Sequence, residues 1–169
     1  MHRTHRLFLA LWPDAGVTAQ LAAHVRGWTW PAGCAVYAPA DWHVTLHFIG
    51  HVASDRLHEV AVSMDIAVEP FTLVLDQPEL WQPGLAVLCA SRWPSGLHML
   101  HERLGVALKG LGLAIDARPY RPHVTLARRA KAAVPPPVGP SVAWNVRSFA
   151  LVVSAGDKDR RYQVIRRYG

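Results

Sequence analysis

The sequence is poor in cysteine, with only Cys34 and Cys89 among 169 residues. The two do not form a Cys-x-x-Cys pair, and neither lies beside histidines at zinc-finger spacing. A disulfide-stabilised scaffold and a structural zinc site are therefore not expected. Long apolar runs are also missing, because the longest early one, Leu7 to Trp12, is too short for a membrane span and marginal as a signal-peptide core. We accordingly expect a soluble cytoplasmic protein that does not contact membranes.

Acidic residues are scarce in the last third of the chain. Residues 118–169 hold 11 Lys and Arg against 2 Asp and Glu, a net charge of +9, whereas residues 1–117 hold 7 against 10, a net charge of −3. Apolar residues make up 51% of the chain and charged residues 18%, which argues for a compact globule of one domain or of two small lobes sharing an interface. The concentrated positive charge favours a phosphate-bearing partner.

The ten histidines do not form a recognisable metal motif. His43, His47 and His51 are spaced by four and would align on a helix. The segment from Trp42 to Ile49 is aromatic and β-branched, however, and ends at Gly50, which favours a strand. No Asp or Glu lies between these histidines to resemble a zinc-hydrolase helix. We predict neither a catalytic metal nor a cofactor.

The most informative feature is a repeated tetrapeptide, His-Val-Thr-Leu, at residues 43–46 and again at residues 123–126. The two histidines are separated by 80 positions, and both copies lie in segments that read as strands. Alternate residues of a strand share a face, so each His and its Thr would point one way while Val and Leu point into the core. Two copies of one such motif indicate a symmetric active site.

Hydrophobic periodicity predicts an α+β fold with helices interspersed among strands. Helices are expected from Asp14, as N-cap, to about Gly27, from Ser54 to about Ala67, and from Ser95 to about Leu111. Strands are expected over residues 7–12, 35–37, 42–49, 71–76, 85–90, 123–128, 144–154 and 162–167. The proline-rich stretch 132–140 cannot be an interior strand and is expected to be a surface loop.

Two histidines across a cleft suit the cleavage of a phosphodiester. One neutral imidazole takes a proton from the nucleophile, and one imidazolium gives a proton to the leaving oxygen. The hydroxyls of Thr45 and Thr125 can donate hydrogen bonds to nonbridging phosphate oxygens in the transition state. Arg128, in the arginine-rich segment around the second motif, would add charge-assisted bonds to the same phosphate.

These motifs resemble those of the two-histidine phosphoesterases, whose hallmark is a pair of His-x-Thr-hydrophobic motifs about 80 residues apart. Residues 6–11 look like the opening strand of that family, residues 43–50 like its first motif and residues 121–128 like its second. Residues 151–154, followed by Tyr162, resemble its closing strands. Within the superfamily the chain is most similar to the RNA 2′,3′-cyclic phosphodiesterases, historically called 2′-5′ RNA ligases.

The resemblance implies one domain over residues 1–169, made of two intertwined lobes. The expected fold is α+β and bilobal, with two antiparallel β-sheets related by a pseudo-twofold, helices on the outer faces and a central groove. The implied reaction is hydrolysis of a 2′,3′-cyclic phosphate, at an RNA end or on a nucleotide, to a 2′-phosphomonoester, with weak reversible 2′-5′ ligation. His43 would be the proton donor and His123 the proton acceptor, in a monomeric enzyme that needs no metal.

Several alternatives remain open at this point. The specificity could be that of a sibling enzyme acting on ADP-ribose 1″,2″-cyclic phosphate or on 2′-5′ oligoadenylate, or the chain could be a catalytically silent RNA- or nucleotide-binding module. Strand alternation places His47 on the same face as His43. There it would either contact phosphate at the rim of the groove or be a solvated side chain, and we favour the second interpretation. Phe48 and Trp42 are expected on the opposite face, in the core.

Overall fold

The computed structural model describes residues 3–157 and 159–169, which contain ten strands and three α-helices. The strands are β1 (Thr4–Leu11), β2 (Ala35–Val36), β3 (Val44–Ala53), β4 (Phe71–Leu75), β5 (Gln77–Trp81), β6 (Leu85–Cys89), β7 (His123–Arg128), β8 (Val142–Val146), β9 (Phe149–Ser154) and β10 (Tyr162–Tyr168). The helices are α1 (Ala15–Val25), α2 (Leu57–Ser63) and α3 (Ser95–Gly110). None of these helices is long and apolar enough to cross a membrane.

All strand pairings among the described residues are antiparallel, which confirms the predicted α+β class. The main sheet has the order β10-β9-β1-β3-β7-β6-β5, with β2 added to β7, and β4 pairs with β8 separately. Its two halves meet where β3 and β7 touch through one pair, Val44 and Val124. The two halves thus form one continuous sheet, joined by this single pair within the part of the chain that the structure describes.

Helices pack where their apolar stripes predict. The side chain of Asp14 accepts a hydrogen bond from the Val17 amide at 2.8 Å, the predicted N-cap of α1. The amide of Gln20 then makes two bonds to the backbone of Ala143 on β8, fixing α1 against the small sheet. The apolar stripe of α3 is buried in the main core, as its spacing predicts. It comprises Leu97, Leu100, Leu104 and Leu108.

Most predicted elements differ from the structure by a few residues at their ends, and β5 (Gln77–Trp81) was not predicted. Two predictions were wrong in kind. The helix expected from Ser54 is a 3₁₀ turn followed by the short α2, because the Ser54 hydroxyl donates to the Arg3 carbonyl at 2.8 Å instead of capping a helix. The strand expected over residues 144–154 breaks at Arg147 and Ser148 into β8 and β9, which belong to different sheets. The stretch 132–140 is a loop as predicted, with one isolated bridge from Val134 to Thr29.

Candidate active site

The pair of Val44 and Val124 sets the geometry of both repeated motifs. Both valines are fully buried, so the residues on either side of them point to the opposite face of the sheet. Continuing the antiparallel register by one residue places His43 opposite Thr125 and Thr45 opposite His123. The two motifs are therefore related by a local twofold through this pair, as the repeated sequence predicts.

His43 lies in an aromatic enclosure. Its Nδ1 donates to the Asp41 carbonyl at 2.8 Å, which leaves Nε2 as the basic nitrogen of the neutral ring. The ring stacks on Trp12, with centroids 5.2 Å apart and planes 5° apart, and packs near Phe8 and Tyr162, each at 5.0 Å. These three aromatic side chains belong to a small apolar cluster on the groove face of β1, β9 and β10.

His123 is held in a parallel way on the other side. Its Nδ1 donates to the Arg121 carbonyl at 2.7 Å, again two residues earlier in the chain. The ring packs against Trp81 at 4.4 Å, and Trp81 is fixed because its Nε1 donates to Glu79 at 2.6 Å. Arg121 also pairs with Glu79 at 2.9 Å. Each catalytic candidate thus has the same tautomer and one tryptophan wall.

The predicted site residues line one groove. A cavity of about 120 Å³ is bordered by both histidines, both threonines and Arg128. Its remaining wall is formed by Tyr37, Asp41, Phe48 and Tyr162. The structure therefore brings together all five residues that the sequence singled out, in a space of the size of a phosphate group.

Burial shapes the protonation of both imidazoles. The pKa of His43 is lowered to about 4, mainly by desolvation and also by repulsion from His123, although the hydrogen bond to the Asp41 carbonyl opposes the shift. Burial also lowers the pKa of His123, while the bond to the Arg121 carbonyl raises it. Both rings are consequently neutral near pH 7 in the unliganded protein, and a bound anion would raise the pKa of each.

The interpretation of His47 and Phe48 was wrong because β3 is not a regular strand. Its register against β1 shifts so that Leu46 has no partner, and His47 pairs with Leu9 on the core face. His47 is only 6% exposed, and its Nε2 donates to the His101 carbonyl at 2.7 Å, so it is neither solvated nor a rim contact. Phe48 instead points to the groove and is 55% exposed. Trp42 is buried, as expected.

Several groove residues were missed by sequence reasoning. Trp12 and Tyr162 enclose His43, and Trp81 supports His123. The ring of Tyr37 contacts two guanidinium groups, those of Arg128 at 5.5 Å and Arg161 at 5.3 Å from its centroid. Trp12 follows β1 and Trp81 ends β5. A tryptophan at the end of a strand does not by itself indicate a catalytic groove, so the sequence contained no specific sign of these residues.

A second and larger cavity adjoins the groove on the His123 side. It measures about 470 Å³ and shares Thr45, Phe48 and His123 with the groove, but His43 does not border it. Its aromatic lining includes His47, Trp81, His101 and Tyr120, and its charged lining comprises Asp116, Arg118 and Arg121. Within residues 3–157 and 159–169, no three His, Cys, Asp or Glu side chains are grouped to bind a metal ion.

Two His-x-Thr strands facing one phosphate-sized groove define a two-histidine phosphoesterase site. The chain belongs to the 2′-5′ RNA ligase superfamily, whose family model matches residues 17–158. It is 31% identical over 173 residues to the RNA 2′,3′-cyclic phosphodiesterase of Escherichia coli K12, an alignment that covers 99% of this chain and 98% of the relative. A similarly named protein of Bacillus subtilis 168 is 29% identical over 104 residues, covering 54% of this chain and 53% of the relative.

Solved structures share the fold over nearly the full chain. The crystal structure of E. coli LigT complexed with 3′-AMP superposes with a TM-score of 0.83 at 28% identity, covering 98% of each chain. The crystal structure of a Thermus thermophilus protein, TT0787, gives a TM-score of 0.75 at 26% identity, covering 96% of each chain. The fold predicted from the resemblance is thus that of solved relatives.

Proposed function

We propose that this protein hydrolyses the 2′,3′-cyclic phosphate of an RNA end or a nucleotide to the 2′-phosphomonoester. The observation that carries the proposal is the convergence of His43, His123, Thr45, Thr125 and Arg128 on one groove of about 120 Å³. The E. coli and B. subtilis relatives, each named an RNA 2′,3′-cyclic phosphodiesterase, support the same substrate. Cytoplasmic location and a monomeric state remain predictions.

The reaction needs two proton transfers on opposite sides of phosphorus. Neutral His123, with Nδ1 bound to the Arg121 carbonyl, takes a proton from water through Nε2 as the water oxygen attacks phosphorus. The bond from phosphorus to O3′ breaks, and His43 gives its Nε2 proton to O3′. The products are a 3′-hydroxyl and a 2′-phosphomonoester, and the next turnover requires the proton to return from His123 to His43 through solvent.

Charge stabilisation comes from the remaining groove residues. The Thr45 and Thr125 hydroxyls donate to the nonbridging oxygens, on which charge accumulates as the pentacoordinate transition state forms. Arg128 adds a charge-assisted bond from the exposed rim. The phosphate anion also raises the pKa of the adjacent His43, because it stabilises the imidazolium. With a pKa of about 4, His43 is neutral in the free protein near pH 7. Substrate binding would therefore favour the protonated form that acts as the proton donor.

The test is product analysis with adenosine 2′,3′-cyclic phosphate and with an RNA ending in a cyclic phosphate, both in the presence of a chelator. We expect 2′-phosphate products, and a loss of at least about 1,000-fold in turnover in His43→Ala and in His123→Ala. His51→Ala, an exposed histidine on the same strand as the first motif, is the matched control and should behave as wild type.

Substantial turnover in either single variant would overturn the two-histidine mechanism. A 3′-phosphate product would contradict the assignment of O3′ as the leaving group. Turnover of ADP-ribose 1″,2″-cyclic phosphate, with no turnover of the RNA substrate, would show that the chain has the specificity of the sibling enzyme instead.

A further inference from the structure

Glu79 lies outside the groove, yet its carboxylate binds two residues that contact His123. It is the middle residue of β5, a strand at the edge of the main sheet. Its Oε2 accepts one hydrogen bond from the Trp81 Nε1 at 2.6 Å and another from the Arg121 guanidinium at 2.9 Å. Glu79 borders neither the groove nor the larger cavity, so its effect on the reaction passes through these two neighbours.

Trp81 forms one wall of His123. The centroids of the two rings are 4.4 Å apart and their planes are tilted by 58°. An indole has a single hydrogen-bond donor, and in Trp81 that donor is bound to Glu79. The orientation of the ring against the imidazole therefore depends on the position of the Glu79 carboxylate.

Arg121 contacts His123 through its main chain. The imidazole Nδ1 donates to the Arg121 carbonyl at 2.7 Å, which leaves Nε2 free for proton transfer. The side chain of the same arginine ends on Glu79, with its guanidinium 4.6 Å from the centroid of the Trp81 ring. The carboxylate thus joins both residues that contact the imidazole into one hydrogen-bonded unit.

The charges of Glu79 and Arg121 oppose each other at His123. Burial lowers the pKa of His123 most, the Arg121 charge lowers it further, and the Glu79 charge raises it. The carboxylate is ionised near neutral pH, because the bond from Trp81, followed by the bond and charge of Arg121, lowers its pKa. When His123 takes a proton from water it becomes an imidazolium beside a guanidinium. Glu79 offsets that repulsion.

Other ionisable groups also surround His123. The neutral ones are the Cys89 thiol on β6, whose pKa burial raises to about 12, and the imidazoles of His43, His47 and His101, whose pKa values burial lowers. The charged ones are Asp41 and Arg128 at the groove and the paired Asp116 and Arg118 at the larger cavity. Among the carboxylates named, Glu79 is the one hydrogen-bonded to both residues that hold the imidazole.

We propose that Glu79 is a positioning residue for His123. It holds the Trp81 ring and the Arg121 main chain against the imidazole, and it offsets the Arg121 charge when His123 accepts its proton. The inference rests on the proposed function, in which His123 is the base. No bond to Glu79 forms or breaks in the reaction, and the proton taken from water stays on His123 until it returns to solvent.

The first test is nitrogen-15 NMR titration of the imidazoles in the full chain. Glu79→Gln keeps an acceptor oxygen and nearly the same shape but removes the charge, so the midpoint of His123 should fall by about 0.5 pH unit. Arg121→Gln removes the opposing charge and should raise the same midpoint. Glu69→Gln removes a carboxylate from an exposed residue before β4 and is the matched control, with no change expected.

The second test is turnover of adenosine 2′,3′-cyclic phosphate. We expect kcat to fall about threefold in Glu79→Gln and about tenfold in Glu79→Ala, which also frees Trp81 and Arg121, with KM nearly unchanged because the groove is intact. Wild-type kcat in Glu79→Ala, or the same His123 midpoint in Glu79→Gln and Glu69→Gln, would overturn the inference. Absence of turnover in the wild-type protein would overturn the proposed function instead.

Discussion

His43 and His123 are oriented by the same device but differ in their surroundings. In both, Nδ1 donates to the carbonyl two residues earlier, which leaves Nε2 of each ring as the nitrogen available for proton transfer. His43 lies among the aromatic rings of Phe8, Trp12 and Tyr162, whereas His123 lies beside the Glu79 and Arg121 pair. The repeated motif thus specifies the tautomer of both rings, and the flanking residues make the two sides unequal.

The hydroxyl of Thr45 is expected to act in the transition state more than in substrate binding. Thr45→Val keeps the shape of the side chain and removes the donor, so kcat/KM for adenosine 2′,3′-cyclic phosphate should fall about 100-fold. Thr45→Ser keeps the donor and should lose far less. Steady-state kinetics of the two variants check this, and a valine variant within about twofold of the serine variant would contradict the role.

The pKa of His43 should respond to an anion in the groove. In the free protein burial holds it at about 4, below its ordinary value of 6.5. Saturation with 2′-AMP, the product of the proposed reaction, should raise this pKa, because a phosphate beside the ring stabilises the imidazolium. Nitrogen-15 NMR of the imidazole measures the titration directly. An unchanged midpoint in the presence of the product would show that His43 does not face the phosphate.

At the scale of elements, alternation predicted the two motif strands well and β3 beyond Thr45 poorly. The faces of His43, Thr45, His123 and Thr125 follow from the period of two, since Val44 and Val124 are buried between them. The bulge at Leu46 then reverses the faces of the next residues. A bulge depends on which residue of the partner strand lies opposite, and that pairing with β1 cannot be read from β3 alone.

The reversal caused by this bulge creates the stack that links three separate elements. His47 from β3 lies against His101 from α3, which lies against Tyr120 from the loop before β7. Desolvation lowers the pKa of His47, and it lowers that of His101 to about 4, with repulsion from His47 adding to the effect. The lowered pKa values favour neutral imidazoles where His101 of α3 lies against His47 of β3.

Stability should consequently fall on mild acidification. Between the ordinary pKa of 6.5 and the folded value of about 4, the unfolded state binds a proton at His101 that the folded state does not, so unfolding becomes easier as the pH decreases through this window. His101 alone would contribute on the order of 2 kcal/mol between pH 7 and pH 5. Denaturant titrations of wild type and His101→Phe check this, and the phenylalanine variant should show the smaller change. Equal changes would exclude His101 as a cause.

At the scale of the whole molecule, the basic charge concentrated in the last third is distributed over both cavities. Arg128 borders the groove, and Arg161 approaches it through Tyr37. Arg118 and Arg121 border the larger cavity. Basic side chains from the last third of the chain therefore border both cavities, which favours an anionic ligand there.

We also propose that the chain unfolds as one domain, in a single cooperative transition. Among the described residues, a single pair, Val44 and Val124, joins the two halves of the main sheet by backbone pairing. This would permit separate unfolding if each half were a continuous piece of chain. Neither half is. β9 and β10 complete the half that contains β1, and β2 pairs with β7 in the other, so opening one half withdraws strands from both ends of the sequence.

One hydrophobic core also extends across the seam between the two halves, through Leu9, Leu88 and Leu126. Thermal unfolding followed by tryptophan fluorescence and by far-ultraviolet circular dichroism should therefore give coincident curves, with equal calorimetric and van't Hoff enthalpies. Val44→Ala and Val124→Ala should each lower the midpoint without separating the curves, because each valine is fully buried on the core side of its motif. Two resolved transitions would show that the halves are independent units.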